Sequence, residues 1–103
     1  MMAIAASLIQ SRSARANLLN DSIVTAKVKS INQVSGDYPW ELTIEIEQSQ
    51  GVPGKVNGTA DKIGQQIKVL TKDISSVKVD QIITAHVTFQ GDERGGVYYA
   101  TIN

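Results

Sequence analysis

The chain contains no cysteine in its 103 residues. Disulfides, cysteine-ligated zinc, iron–sulfur clusters and thiol catalysis are therefore excluded. It has no excess of either charge: ten Lys and Arg balance ten Asp and Glu. Nothing global draws such a chain to nucleic acid or to an anionic membrane. No run reaches the roughly 18 apolar residues that a membrane span requires, so no membrane partner is expected. There is one histidine, so a metal site would rest almost wholly on carboxylates. Motifs for an EF-hand, a nucleophile elbow or a phosphate-cradling glycine loop are missing as well.

What is present is alternation. Residues Trp40–Glu47 read W-E-L-T-I-E-I-E. Strand side chains point to opposite faces with a period of two, so Trp40, Leu42, Ile44 and Ile46 share one face and Glu41, Thr43, Glu45 and Glu47 the other. This is a half-buried strand of an antiparallel sheet with an acidic water side. The same period runs through Ser22–Val28, where Val24, Ala26 and Val28 alternate with Thr25 and Lys27. The parity slips before Ile31 and Val34, which implies a bulge or bend near Ser30. Three further strands follow. Gln65–Thr71 turns Ile67 and Val69 inward. Gln81–Gln90 turns Ile83, Ala85, Val87 and Phe89 inward. Val97–Ile102 turns Tyr98, Ala100 and Ile102 inward.

Between the strands, Ser35–Pro39 reads as a turn. Ser49–Gly64, with four glycines and Pro53, is a long connection in which Asn57-Gly58 suits a type I′ turn. Lys72–Asp80 is a polar connection, and Gly91–Gly96 an open hairpin loop. Asn57-Gly58-Thr59 also matches a glycosylation sequon, but the turn is the better reading. Residues 1–21 form an extension, helical or disordered, with Arg12 and Arg15 and weak helical spacing of Ile4 and Leu8. Its composition resembles a transit peptide only faintly, and no positive charge precedes the apolar Ala3–Ile9 stretch as a secretory signal would require. A cytoplasmic location fits.

Five short strands in about 80 residues bury their apolar faces and remove their edges by curling into a small barrel. The expected fold class is therefore all-β, a five-stranded antiparallel barrel over 22–103. In strand pattern and spacing, Val24–Val34, Trp40–Gln48, Gln65–Thr71, Gln81–Phe89 and Val97–Ile102 resemble the OB-fold. The connection before the fourth strand is too short for the helix many OB-folds place there, which keeps an SH3-like barrel or a β-sandwich as alternatives.

The resemblance implies a non-enzymatic binding module, with a ligand face on strands two and three framed by the loops Asn32–Pro39 and Gln90–Gly96. Single-stranded nucleic acid is the leading ligand, because bases stack on aromatics while cations meet phosphates. Tyr38 and Tyr99 are the stacking candidates, since Trp40 and Tyr98 carry inward parity. Lys27, Lys29, Lys68 and Arg94 are the phosphate candidates, with Lys72 nearby. Glu41, Glu45 and Glu47 oppose that reading, because carboxylates beside the groove repel phosphate. The alternative is a protein-interaction or assembly module, using a strand edge or the N-terminal segment. His86 reads as a surface residue, and Asp37, Asp92 and Glu93 as turn residues. No acid, base and nucleophile converge, so neither an enzyme nor a cofactor is expected.

Overall fold

The structure, a computed structural model, describes residues 19–92 and 94–103. The reading of the N-terminal segment as helix or disorder lies outside these residues for 1–18. Five strands appear in the expected order: β1 (Ser22–Gln33), β2 (Trp40–Gly51), β3 (Gln66–Thr71), β4 (Ile82–Asp92) and β5 (Gly95–Ile102). They close into a barrel with the cyclic order β1-β2-β3-β5-β4. This arrangement is compatible with an OB-like barrel. Four seams are antiparallel, but β3 and β5 run parallel through Val69–Tyr98 and Leu70–Tyr99.

The alternating faces fall where the sequence puts them. Val24, Ala26, Val28, Leu42, Ile44, Ile46, Ile67, Val69, Ile83, Ala85, Val87 and Ala100 form one buried core. Each fully buried Leu or Ile side chain contributes about 1.5–3 kcal/mol. The parity slip in β1 is a bulge: Val28 faces Ile44 and Ser30 faces Thr43, leaving Lys29 unmatched. Past it, Ile31 packs against the core at the inward turn that unbroken alternation would give Ser30. A second irregularity leaves Glu47 of β2 unmatched between Gln48 and Ile46. Extra residues bend a strand and raise its twist, which is how a sheet this small curls shut.

The β3–β4 connection forms no helix. Instead Ile74 and Val77 pack directly against the core, covering it where a helix would otherwise lie. Asp80, at φ 72°, turns the chain so that its N–H bonds the Val28 carbonyl at 2.7 Å. Asp tolerates this left-handed conformation better than most residues.

Two connections differ from expectation. Gly58 does not adopt the positive φ that a type I′ turn requires. The turn lies earlier: Lys55 N–H bonds the Val52 carbonyl at 3.1 Å with Gly54 at φ 80°, the pattern of a Pro-Gly type II turn. Asn57 acts as an acceptor hub. Its Oδ1 receives the hydroxyls of Ser22 (2.6 Å), Ser49 (3.1 Å) and Thr59 (3.3 Å) and the Thr59 N–H (3.1 Å). Ser22 and Thr59 are fully buried, so this one oxygen satisfies groups that would otherwise lose water without compensation. The hub ties the β2–β3 connection to the start of β1.

Beside it, Asn20 extends the β1–β4 ladder with its side chain. Nδ2 donates to the Phe89 carbonyl (2.9 Å), and Oδ1 accepts the Phe89 N–H (2.7 Å). The backbone of residues 19–21 is thereby released to bond Val56.

The β4–β5 hairpin is tighter than the open loop expected, with Gly91 paired to Gly96 and Asp92 to Gly95. The Phe89 ring lies over this glycine pair. A Cβ at Gly91 would come within 2.5 Å of the Gly95 carbonyl oxygen, and one at Gly96 would strike the ring and the Gln90 carbonyl. Gly96→Ala is therefore expected to cost about 1–3 kcal/mol through overpacking. Gly58→Ala, whose nearest neighbour is 3.9 Å away, should change stability by no more than about 0.5 kcal/mol. Urea midpoints compare the two, and a large cost at Gly58 would restore the type I′ assignment. Asn57→Ala should cost about 1–3 kcal/mol by stranding the buried hydroxyls, read from the same unfolding curves.

Candidate functional site

Gly36, at φ +112°, allows the β1–β2 loop to reverse, and Val34 N–H closes it on the Pro39 carbonyl at 2.8 Å. Pro39 then sends the chain into β2 in extended form. The loop thereby presents Tyr38 to β5. Its ring centroid lies 4.8 Å from that of Tyr99, with the planes tilted by 58°. Such tilted pairs are worth about 0.5–1.5 kcal/mol beyond their buried area. Lys72, the first residue after β3, carries its Nζ 5.1 Å from the Tyr38 ring centroid, within cation–π range.

Tyr38 and Lys72 border a groove of about 420 Å³. Its other walls come from the β3–β4 connection (Ser75, Ser76, Val77) and from the C-terminal part of β5 (Ala100, Thr101, Ile102). The Asp73 carboxylate also lies there, but its Oδ1 accepts the Ser75 N–H at 2.9 Å and so is turned toward its own loop. Thr71 lines the groove with only 2% of its surface exposed.

The sequence-selected residues divide into groups. Tyr38 and Tyr99 are brought together. Leu70 stands beside Tyr99 across the parallel seam, and Glu41 faces Leu70 on β2. Lys68 is exposed on β3 opposite Thr43 and shares the outward parity of Leu70. Lys27 and Lys29 lie on β1 with Glu45: Lys27 is its cross-strand neighbour, and Lys29 Nζ is 3.8 Å from its Oε1. They form a mixed-charge patch instead of a continuous basic track.

Arg94 is in the β4–β5 hairpin, before the start of β5, whereas the groove takes the end of that strand. At ~3.3 Å per residue, six to eight residues separate them by about 20–26 Å. The two loops expected to frame one cleft thus serve different ends of β5, and the β3–β4 connection replaces the hairpin as the partner of the Tyr38 loop.

Trp40 is half-buried at the start of β2, while Tyr98 packs on the core and on Phe89 at 4.9 Å between centroids. His86 is partly exposed, with Nδ1 3.1 Å from Asp21 Oδ1. Lys55 Nζ lies 4.0 Å from the other oxygen of Asp21. Among the described residues no three metal-ligating side chains gather, and no helix is long and apolar enough to cross a membrane.

The hydroxyls of Thr71, Ser75, Ser76 and Thr101 were not selected from the sequence. Thr71 carried a readable signal: a polar residue at the end of the inward row Ile67, Val69. The others lie on a connection and a strand whose meeting the sequence does not specify. No family model, no curated protein and no solved structure matches this chain.

Proposed function

We propose that this protein is a non-enzymatic OB-like binding module for single-stranded nucleic acid. The observation that carries the reading is the Tyr38–Tyr99 pair with Lys72 over the Tyr38 ring, set at the mouth of the groove. Stacking on aromatics supplies sequence-tolerant affinity, and an adjacent ammonium supplies phosphate attraction. Lys68 and Leu70 on β3 continue the surface from Tyr99 toward the β2–β3 face.

The acidic side of β2 is less opposed to this role than its sequence suggests. Glu45 has Lys29 Nζ at 3.8 Å and Lys27 as its cross-strand neighbour, so of the three carboxylates Glu41, facing Leu70, is the repulsive group beside the β3 surface.

A second reading, a protein-interaction module, is favoured by one observation. Leu19 and Val56 are 72% and 54% exposed and lie side by side where the chain enters the barrel. Light scattering over a concentration series would reveal self-association through them as a rising mass.

Fluorescence anisotropy with labelled single-stranded DNA and RNA tests the main proposal. Binding should weaken steeply with salt. Lys72→Ala should weaken it on all sequences alike and reduce the salt slope by about one. Absence of binding at low salt and high protein concentration would refute the proposal. Glu41→Gln should tighten binding at low salt by about two- to fivefold, as removal of one repulsive charge near the phosphate path implies. An unchanged affinity would place the strand away from β2.

A further inference from the structure

Thr71 is the last residue of β3 and has 2% of its surface exposed. Among the described residues its hydroxyl has no hydrogen-bond partner. Since no fully buried side-chain oxygen among the described residues lacks a partner, this oxygen keeps contact with water. Thr71 lines the groove, so an occupant there can replace that water with a direct hydrogen bond.

The surroundings restrict the occupant. Val77, Ala100 and Ile102 supply an apolar surface, Tyr38 a ring face, and Lys72 a cation at the mouth. The volume of about 420 Å³ is at the small end of ligand sites, suited to one nucleotide but not to a run of stacked bases. An apolar wall, an aromatic ring, one lysine and the hydroxyl-bearing Thr71, Ser75, Ser76 and Thr101 match the parts of a nucleotide, base, phosphate and polar base edge, while the Asp73 carboxylate is engaged by the Ser75 N–H.

From this we infer that the groove receives one nucleotide of the bound strand, its base lying against Tyr38 and its phosphate meeting Lys72. Thr71 bonds a polar atom on the base edge. The inference rests on the single-strand reading above and adds a base preference at one position to otherwise sequence-tolerant binding. The site lies between the Tyr38 loop, the β3–β4 connection and the end of β5, off the β2–β3 face that the OB-fold resemblance implies. As the base enters, the Lys72 ammonium leaves the ring face for the phosphate. Tyr99, outside the groove, acts as a positioning residue that holds the Tyr38 ring at its tilt.

The test titrates the isotopically labelled protein with each of the four nucleoside 5′-monophosphates, followed by amide chemical shifts. Shifts should concentrate at Tyr38, Thr71–Val77 and Ala100–Ile102, and the four affinities should differ. Thr71→Val keeps the side-chain shape and removes the hydroxyl. It should leave thermal stability unchanged or raised, while reducing affinity for the preferred nucleotide about three- to tenfold, the worth of one hydrogen bond, and levelling the preference. Lys72→Ala should weaken all four alike.

If Thr71→Val binds all four as the parent does, or if millimolar nucleotide shifts no groove amide while long strands still bind, the inference is overturned and the single-strand reading stands. If monophosphates shift the groove selectively but long strands do not bind, the groove assignment holds and the single-strand reading falls.

Discussion

Closure of the barrel depends on β1 belonging to two neighbours at once. Along Ser22–Lys27 it is hydrogen-bonded to β2 on one side and β4 on the other, while beyond Lys29 it follows β2 alone. A regular flat strand cannot do both and keep its apolar residues inward through the turn. The Lys29 bulge resolves the conflict by moving one residue out of register, so that Ile31 resumes the buried row after Val28. Lys29 itself stays on the outward side, with its ammonium 3.8 Å from Glu45. The bend that shuts the core thus lies within the mixed-charge patch of the outer β1–β2 surface, where Lys27 and Lys29 stand beside Glu45.

Where the sequence alternates, it was legible. The buried rows of β1 to β5 and the slip near Ser30 all follow from a period of two and one interruption. The short β3–β4 connection could also be read, since nine polar-rich residues do not make a substantial helix. Connections were harder, because their geometry is decided by partners distant in the chain. Asn57-Gly58 looks like a tight turn in isolation. It became a hydrogen-bond hub because Ser22 and Ser49, 35 and 8 residues away, present their hydroxyls to it. Likewise Asn20 falls in the extension ahead of the first strand, yet it continues the ladder through its side chain onto Phe89.

The candidate site was half legible for the same reason. Tyr38 and Tyr99 stood out as aromatics of outward or loop position, and the structure brings them within contact. That Lys72 would join them, and Arg94 would not, depends on β5 running parallel to β3. Local patterning carries no signal for the direction of a seam between strands 25 or more residues apart. The carboxylates of β2 were readable as an acidic stripe, but that Glu45 alone of them meets Lys27 and Lys29 depends on the cross-strand register.

The parallel β3–β5 seam also governs the order in which this fold can be built. β5 lies between β3 and β4, and β1 is paired with a strand some sixty residues downstream. During vectorial synthesis the β1–β2–β3 sheet can form early, but it emerges with both edges open and its apolar face uncovered. β4 can dock on β1 and still leave a gap. Only when the last strand has left the ribosome can the cylinder close, so the core is acquired in one late step with long-range contacts, the regime in which folding is slow. The glycine pair under Phe89 then has a kinetic meaning as well: a hairpin this tight delivers β5 to its slot already joined to β4, shortening the interval in which those edges are exposed to other chains.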